Sequence, residues 1–98
     1  MFRILILTAC LTLPSFAAAG PIERACLQAD RPAATQALCG CIQTVAGATL
    51  TRSEQRQAAK FFKDPHRAQE IRQSDRAAHE RLWERYKRFA ASAEATCS

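Results

Sequence analysis

The chain has 98 residues, a formal charge of +5 and five cysteines, with 48% hydrophobic residues. A chain of this size builds one small core and commonly needs covalent staples, which excludes a large multidomain enzyme. Apart from a run at the N-terminus, no stretch is apolar for long enough to cross a bilayer, so a membrane-spanning carrier or channel is excluded too.

Met1-Phe2-Arg3 forms a short basic start, Ile4 to Leu13 an apolar run, and Ala17-Ala18-Ala19 a small-x-small cleavage site. This pattern reads as a secretory signal peptide over residues 1–19, cut after Ala19, with residues 20–98 as a single helical domain in the periplasm or outside the cell. Leu7-Thr8-Ala9-Cys10 also resembles a lipobox, but the apolar run between Arg3 and Cys10 is very short for lipidation and a better cleavage site follows. Removal of the leader takes away only Arg3 among the charged residues and leaves Cys26, Cys39, Cys41 and Cys97. An even number of cysteines in a short exported chain reads as two disulfides.

Pro21 to Ala29 is a short helix-compatible segment carrying Cys26, and Asp30-Arg31-Pro32 is a turn. A second helix is expected from Ala33, after Pro32, to about Leu50, with Ala34, Leu38, Cys41, Ile42, Val45 and Ala48 on one face. Gly40 and Gly47 weaken it, and Gly40 is read either as a site of close helix approach or as a local break. Thr51-Arg52-Ser53-Glu54 matches a capping box and predicts a third helix over 52–62 that points Ala58, Phe61 and Phe62 inward. Asp64-Pro65 then opens a long helix to Cys97, with Ala68, Ile71, Ala78, Leu82, Tyr86, Phe89 and Ala93 along one face. No strand pattern, repeat or low-complexity segment is present. The expected fold is all-α, a small disulfide-stapled bundle of about four helices with a long C-terminal helix.

Cys39 and Cys41 lie two residues apart, so on a helix their side chains diverge by about 200° and serve different partners. Cys26–Cys39 with Cys41–Cys97 is the preferred pairing, with Cys26–Cys41 and Cys39–Cys97 left open. Cys39-Gly40-Cys41 also suggests thiol–disulfide exchange, yet it falls within an apolar helix and two further cysteines are available for bridging. Zinc would need reduced thiolates in an oxidising compartment, and copper finds only Met1 as a thioether, so no metal and no cofactor are expected.

Between Arg52 and Arg88 eleven Lys and Arg face six Asp and Glu. One reading is a solvated helix surface with pairs such as Arg76–Glu80 and Glu84–Arg88. The other is a basic patch of Arg52, Arg56, Lys60, Lys63, Arg81, Arg85 and Arg88 for a protein partner or an anionic surface, peripheral membrane contact included. Nucleic acid is not expected, because no aromatic-interleaved basic motif occurs. His66 and His79 are too far apart in the chain for a metal-ligand step. Asp75 falls on the apolar stripe, where a carboxylate needs a partner, a break in the helix or a cationic ligand. Together with His79, Glu80, Trp83 and Tyr86 it forms a candidate ligand or partner surface. No nucleophile elbow, phosphate loop or acidic pair at workable spacing points to an enzyme.

Cys39-Gly40-Cys41-Ile42-Gln43, Leu50-Thr51 with Gln55-Arg56, Phe61-Phe62-x-Asp64-Pro65, and Arg72-Gln73-Ser74-Asp75 leading to Trp83-x-Arg85-Tyr86 and Cys97 span most of the chain after the leader. Together they resemble a family of small exported proteins from Rhodobacter-type alphaproteobacteria often labelled "arginine transporter". In a cationic chain without a mature membrane span, the resemblance implies a periplasmic accessory or binding component. Asp75, Glu80 and Trp83 would be its candidates for holding arginine.

Overall fold

The computed structural model describes residues 20–29 and 31–97. The expected signal peptide, its cleavage site after Ala19 and the lipobox cysteine Cys10 lie outside those residues. Five helices follow one another: α1 (Pro21–Gln28), α2 (Gln36–Thr49), α3 (Arg52–Lys63), α4 (Pro65–Gln73) and α5 (Ala77–Thr96). The described residues contain no strand.

The starts of α2, α3 and α4 carry a side chain that accepts from an otherwise unpaired amide, whereas those of α1 and α5 have no side-chain cap. α1 opens with Pro21, whose missing N–H costs nothing at that position. The α2 start lies later than Ala33, because Pro32 and Ala33 form a turn that the Ala34 N–H closes on the Arg31 carbonyl at 3.0 Å. The cap passes to Thr35, whose hydroxyl accepts from the Leu38 N–H at 3.2 Å. From there α2 runs unbroken through Gly40 and Gly47. The expected capping box is formed: Thr51 Oγ1 accepts from the Glu54 N–H at 3.2 Å, and Glu54 Oε1 accepts from the Thr51 N–H at 2.9 Å. Asp64 ends α3 and caps α4, its carboxylate accepting from the His66 N–H at 3.1 Å.

The helix expected to run from Asp64 to Cys97 is divided at Ser74, Asp75 and Arg76. Ser74 takes an extended backbone, and its hydroxyl accepts from the Arg76 N–H at 3.2 Å. The same hydroxyl shares a hydrogen bond of 2.7 Å with His79 Nδ1. A short polar side chain that satisfies nearby groups outside the helical ladder competes with the helix itself. Asp75 is therefore exposed in the break rather than set on an apolar stripe, and Ala78 is exposed as well. The long C-terminal helix is α5, with 20 residues.

α1 packs on α2 and α3, α2 on α5, and α4 on both α3 and α5. The shared core holds Ile22 of α1, Val45 and Ala46 of α2, Leu50 at its C-cap, Ala58 and Phe61 of α3, Ile71 of α4, and Leu82 and Phe89 of α5. Gln43 ties three of these helices together. Its Oε1 accepts from the Glu23 N–H at 2.9 Å, and its Nε2 donates to Gln55 Oε1 at 2.8 Å. One otherwise unpaired amide of the α1 start is thereby satisfied from α2. Two disulfides complete the frame in the preferred pairing: Cys26–Cys39 joins α1 to α2, and Cys41–Cys97 joins α2 to the end of α5. Such bridges fit an oxidising compartment. Among the described residues, no helix is long and apolar enough to cross a membrane.

Candidate functional site

The surface foreseen around Asp75, His79, Glu80, Trp83 and Tyr86 is divided between two concavities. The break after α4 places Asp75 beside Glu80, Trp83 and Glu84 of α5 in an open polar hollow of about 450 Å³. Arg72 stands on its edge and Ile71 on its floor. Three carboxylates against one guanidinium make it a locally acidic spot on a cationic chain. Glu84 is engaged by Lys87 Nζ at 2.9 Å, and that hydrogen bond, together with the lysine charge, holds its carboxyl below the usual range. Asp75 and Glu80 enter no ion pair among the described residues. His79 does not line the hollow, but its ring shares a hydrogen bond with Ser74, which does.

Tyr86 faces a different cavity. An apolar groove of about 400 Å³ opens between the α1–α2 turn, α2, α3 and the first turns of α4. Ala34, Leu38, Ile42, Phe61, Phe62 and Tyr86 form much of its lining. Arg31 and Gln69 are its polar members besides the tyrosine hydroxyl, and Cys26 brings the first disulfide into the wall. Tyr86 is the centre of an aromatic cluster, edge-on to Phe61 with ring centroids 5.0 Å apart and stacked on Trp83 at 5.4 Å. Burial among these rings pushes its hydroxyl pKa up. The stacked pair Trp83–Tyr86 thus stands between the hollow, which Trp83 lines, and the groove, which Tyr86 lines.

Of the seven basic residues singled out, one is engaged in an ion pair and the other six are exposed. Arg52, Arg56, Lys60 and Lys63 recur at helical spacing on α3, are exposed, and have no ion-pair partner among the described residues. Arg85 is withdrawn from the set, since its guanidinium meets Glu54 at 3.3 Å. Arg81 and Arg88 are exposed on α5. The expected pairs Arg76–Glu80 and Glu84–Arg88 are replaced on α5 by Lys87–Glu84. Cys39 and Cys41 do not pair with each other, and Cys39 is fully buried. Among the described residues no group of three or more His, Cys, Asp and Glu is arranged to hold a metal ion.

Arg31, Ala34, Leu38 and Phe62 were not singled out as a site from the sequence. The available signal was weak: apolar residues on two helix faces that no third helix covers completely. No protein-family model, curated protein or solved structure matches the chain.

Proposed function

We propose that the protein is an exported, non-enzymatic binding module of the periplasm, delivered there by residues 1–19. Its partner is a protein or an anionic surface, and the contact is made through the apolar groove. The observation that supports this reading is the groove itself. Leu38, Ile42 and Phe62 remain only partly covered by their own chain, between helices that the two disulfides hold in place. Cavities of this size and character commonly receive ligands.

A photo-crosslinking residue at Leu38, tested in the native cells, should yield one discrete adduct. The same residue at Ala48, exposed elsewhere on α2, should not. Equal labelling at the two positions, or none at Leu38, would overturn the groove as the contact. The mass of the adduct separates a protein from a lipid, and the intact mass of the unlabelled chain tests processing after Ala19.

The polar hollow supports a second reading, an accessory role in arginine transport of the kind the family resemblance implies. Asp75, Glu80 and Trp83 meet there, and carboxylates with an indole suit a guanidinium group. Arginine, but not its uncharged analogue citrulline, should change the Trp83 emission, and Glu80→Gln should weaken the response. Absence of a response at millimolar arginine would sink this reading and leave the groove untouched. A thiol-exchange role for the Cys39-Gly40-Cys41 motif is disfavoured by the full burial of Cys39 and by the pairing of each cysteine with a distant one.

A further inference from the structure

We infer that the groove receives the acyl chain of an anionic amphiphile, a fatty acid, with Arg31 meeting its carboxylate. The inference rests on the groove being the binding surface and adds the chemistry of what occupies it.

The lining excludes most polar occupants. Ala34, Leu38, Ile42, Phe61 and Phe62 offer no side-chain hydrogen bonds, and among the described residues Gln69 and Tyr86 are the only uncharged polar side chains there. An extended peptide would bring a backbone N–H and C=O with every residue and leave most of them without partners, at a cost for each. An acyl chain carries no such groups. The volume of about 400 Å³ lies in the range of small-molecule pockets, roughly 300–1,000 Å³.

Charge decides the head group. Among the described residues, Arg31 is the only charged one in the lining, with no aspartate or glutamate beside it there. It is exposed and enters no ion pair among the described residues. Its planar fork of donors matches a carboxylate or a phosphate. A cationic amphiphile would place like charge against Arg31.

The test uses the oxidised protein as recovered from its own cells. Dodecanoate, dodecylamine and dodecyl maltoside are titrated below their micelle-forming concentrations, and binding is followed by calorimetry and by Trp83 emission. Trp83 is the single tryptophan and stacks on Tyr86 of the groove. Dodecanoate should bind about tenfold more tightly than dodecylamine, the worth of one charge-assisted contact, with the maltoside between them. Arg31→Gln should abolish the preference while leaving maltoside binding intact. Ala34→Phe, which fills the groove, should weaken all three, with circular dichroism and thiol protection showing that the variants remain folded. Equal affinity for the three head groups would overturn the charge selection and keep the groove as a binding surface. If none binds while crosslinking at Leu38 persists, the amphiphile is overturned in favour of a protein partner. Self-association that Ala34→Phe abolishes would assign the groove to a second copy of the chain.

Discussion

Glu54 and Arg85 meet across 31 residues of chain, with Arg85 Nε 3.3 Å from Glu54 Oε2 and Nη1 3.3 Å from Oε1. Glu54 Oε1 also accepts from the Thr51 N–H, so one carboxylate caps α3 and ties it to α5. The Arg85 side chain is half exposed and that of Glu54 only 16% exposed, which places the pair near the upper end of surface ion pairs, up to about 1 kcal/mol. Glutamine can take the glutamate's place in a capping box. Glu54→Gln should therefore cost less than about 1 kcal/mol, and Glu54→Ala about 1–2 kcal/mol. Urea unfolding of both variants checks this; equal losses would mean that the cap contributes little.

The two disulfides should differ in their effect on stability. Cys26 and Cys39 are 13 residues apart, whereas Cys41 and Cys97 are 56 apart. In the loop-entropy model, removing the first costs about 3 kcal/mol and removing the second about 4 kcal/mol. Paired cysteine-to-alanine variants, compared by urea denaturation, should show the larger loss for Cys41–Cys97. The reverse order would point to native packing around the buried Cys39 as the dominant effect.

Tyr86 gives a pH dependence with a defined sign. Burial raises its pKa above the ordinary tyrosine value of 10.0, so the folded state holds the proton more tightly than the unfolded state does. Its contribution is fully present below about pH 10 and is lost as pH rises through the folded-state pKa. Stability should fall in that alkaline window, and Tyr86→Phe should flatten the fall. Tyr86 is the only tyrosine, so its titration can be read directly by tyrosinate absorbance. A midpoint at or below that of free tyrosine would contradict the burial.

Gly40 and Gly47 should both accept alanine. A Cβ at Gly40 would sit 3.6 Å from Glu23 Oε1, an ordinary contact, and one at Gly47 would meet open space. Neither residue has positive φ. The reading of Gly40 as a site of required close approach therefore gives way to that of a plain helical glycine. Gly40→Ala and Gly47→Ala should each stabilise the protein by about 0.5–1 kcal/mol. A lowered melting temperature for either variant would refute this.

Local signals and long-range geometry contributed differently to this fold. The sequence determined by itself the helical class, the α3 capping box at Thr51 and Glu54, the Asp64-Pro65 start of α4, and the cysteines available for bridging, because each depends on residues within a turn or two of one another. Even the divergence of Cys39 and Cys41 follows from helical pitch alone. Tertiary structure decided what depends on three helices meeting. The break at Ser74 showed in the sequence only as a carboxylate, Asp75, on the apolar stripe, because a hydroxyl that replaces one helical bond leaves the spacing of Ile71 and Leu82 apparently continuous. The break removed Asp75 from the core and placed it in the hollow with Glu80 and Trp83. Arg85 was drawn away from the basic residues by Glu54, and Tyr86 was separated from Asp75 by the ring of Trp83 on which it stacks. The groove beside Arg31 is the clearest case: Leu38 and Phe62 each read as core in their own helices, and only the packing of α1, α2, α3 and α4 leaves space between them.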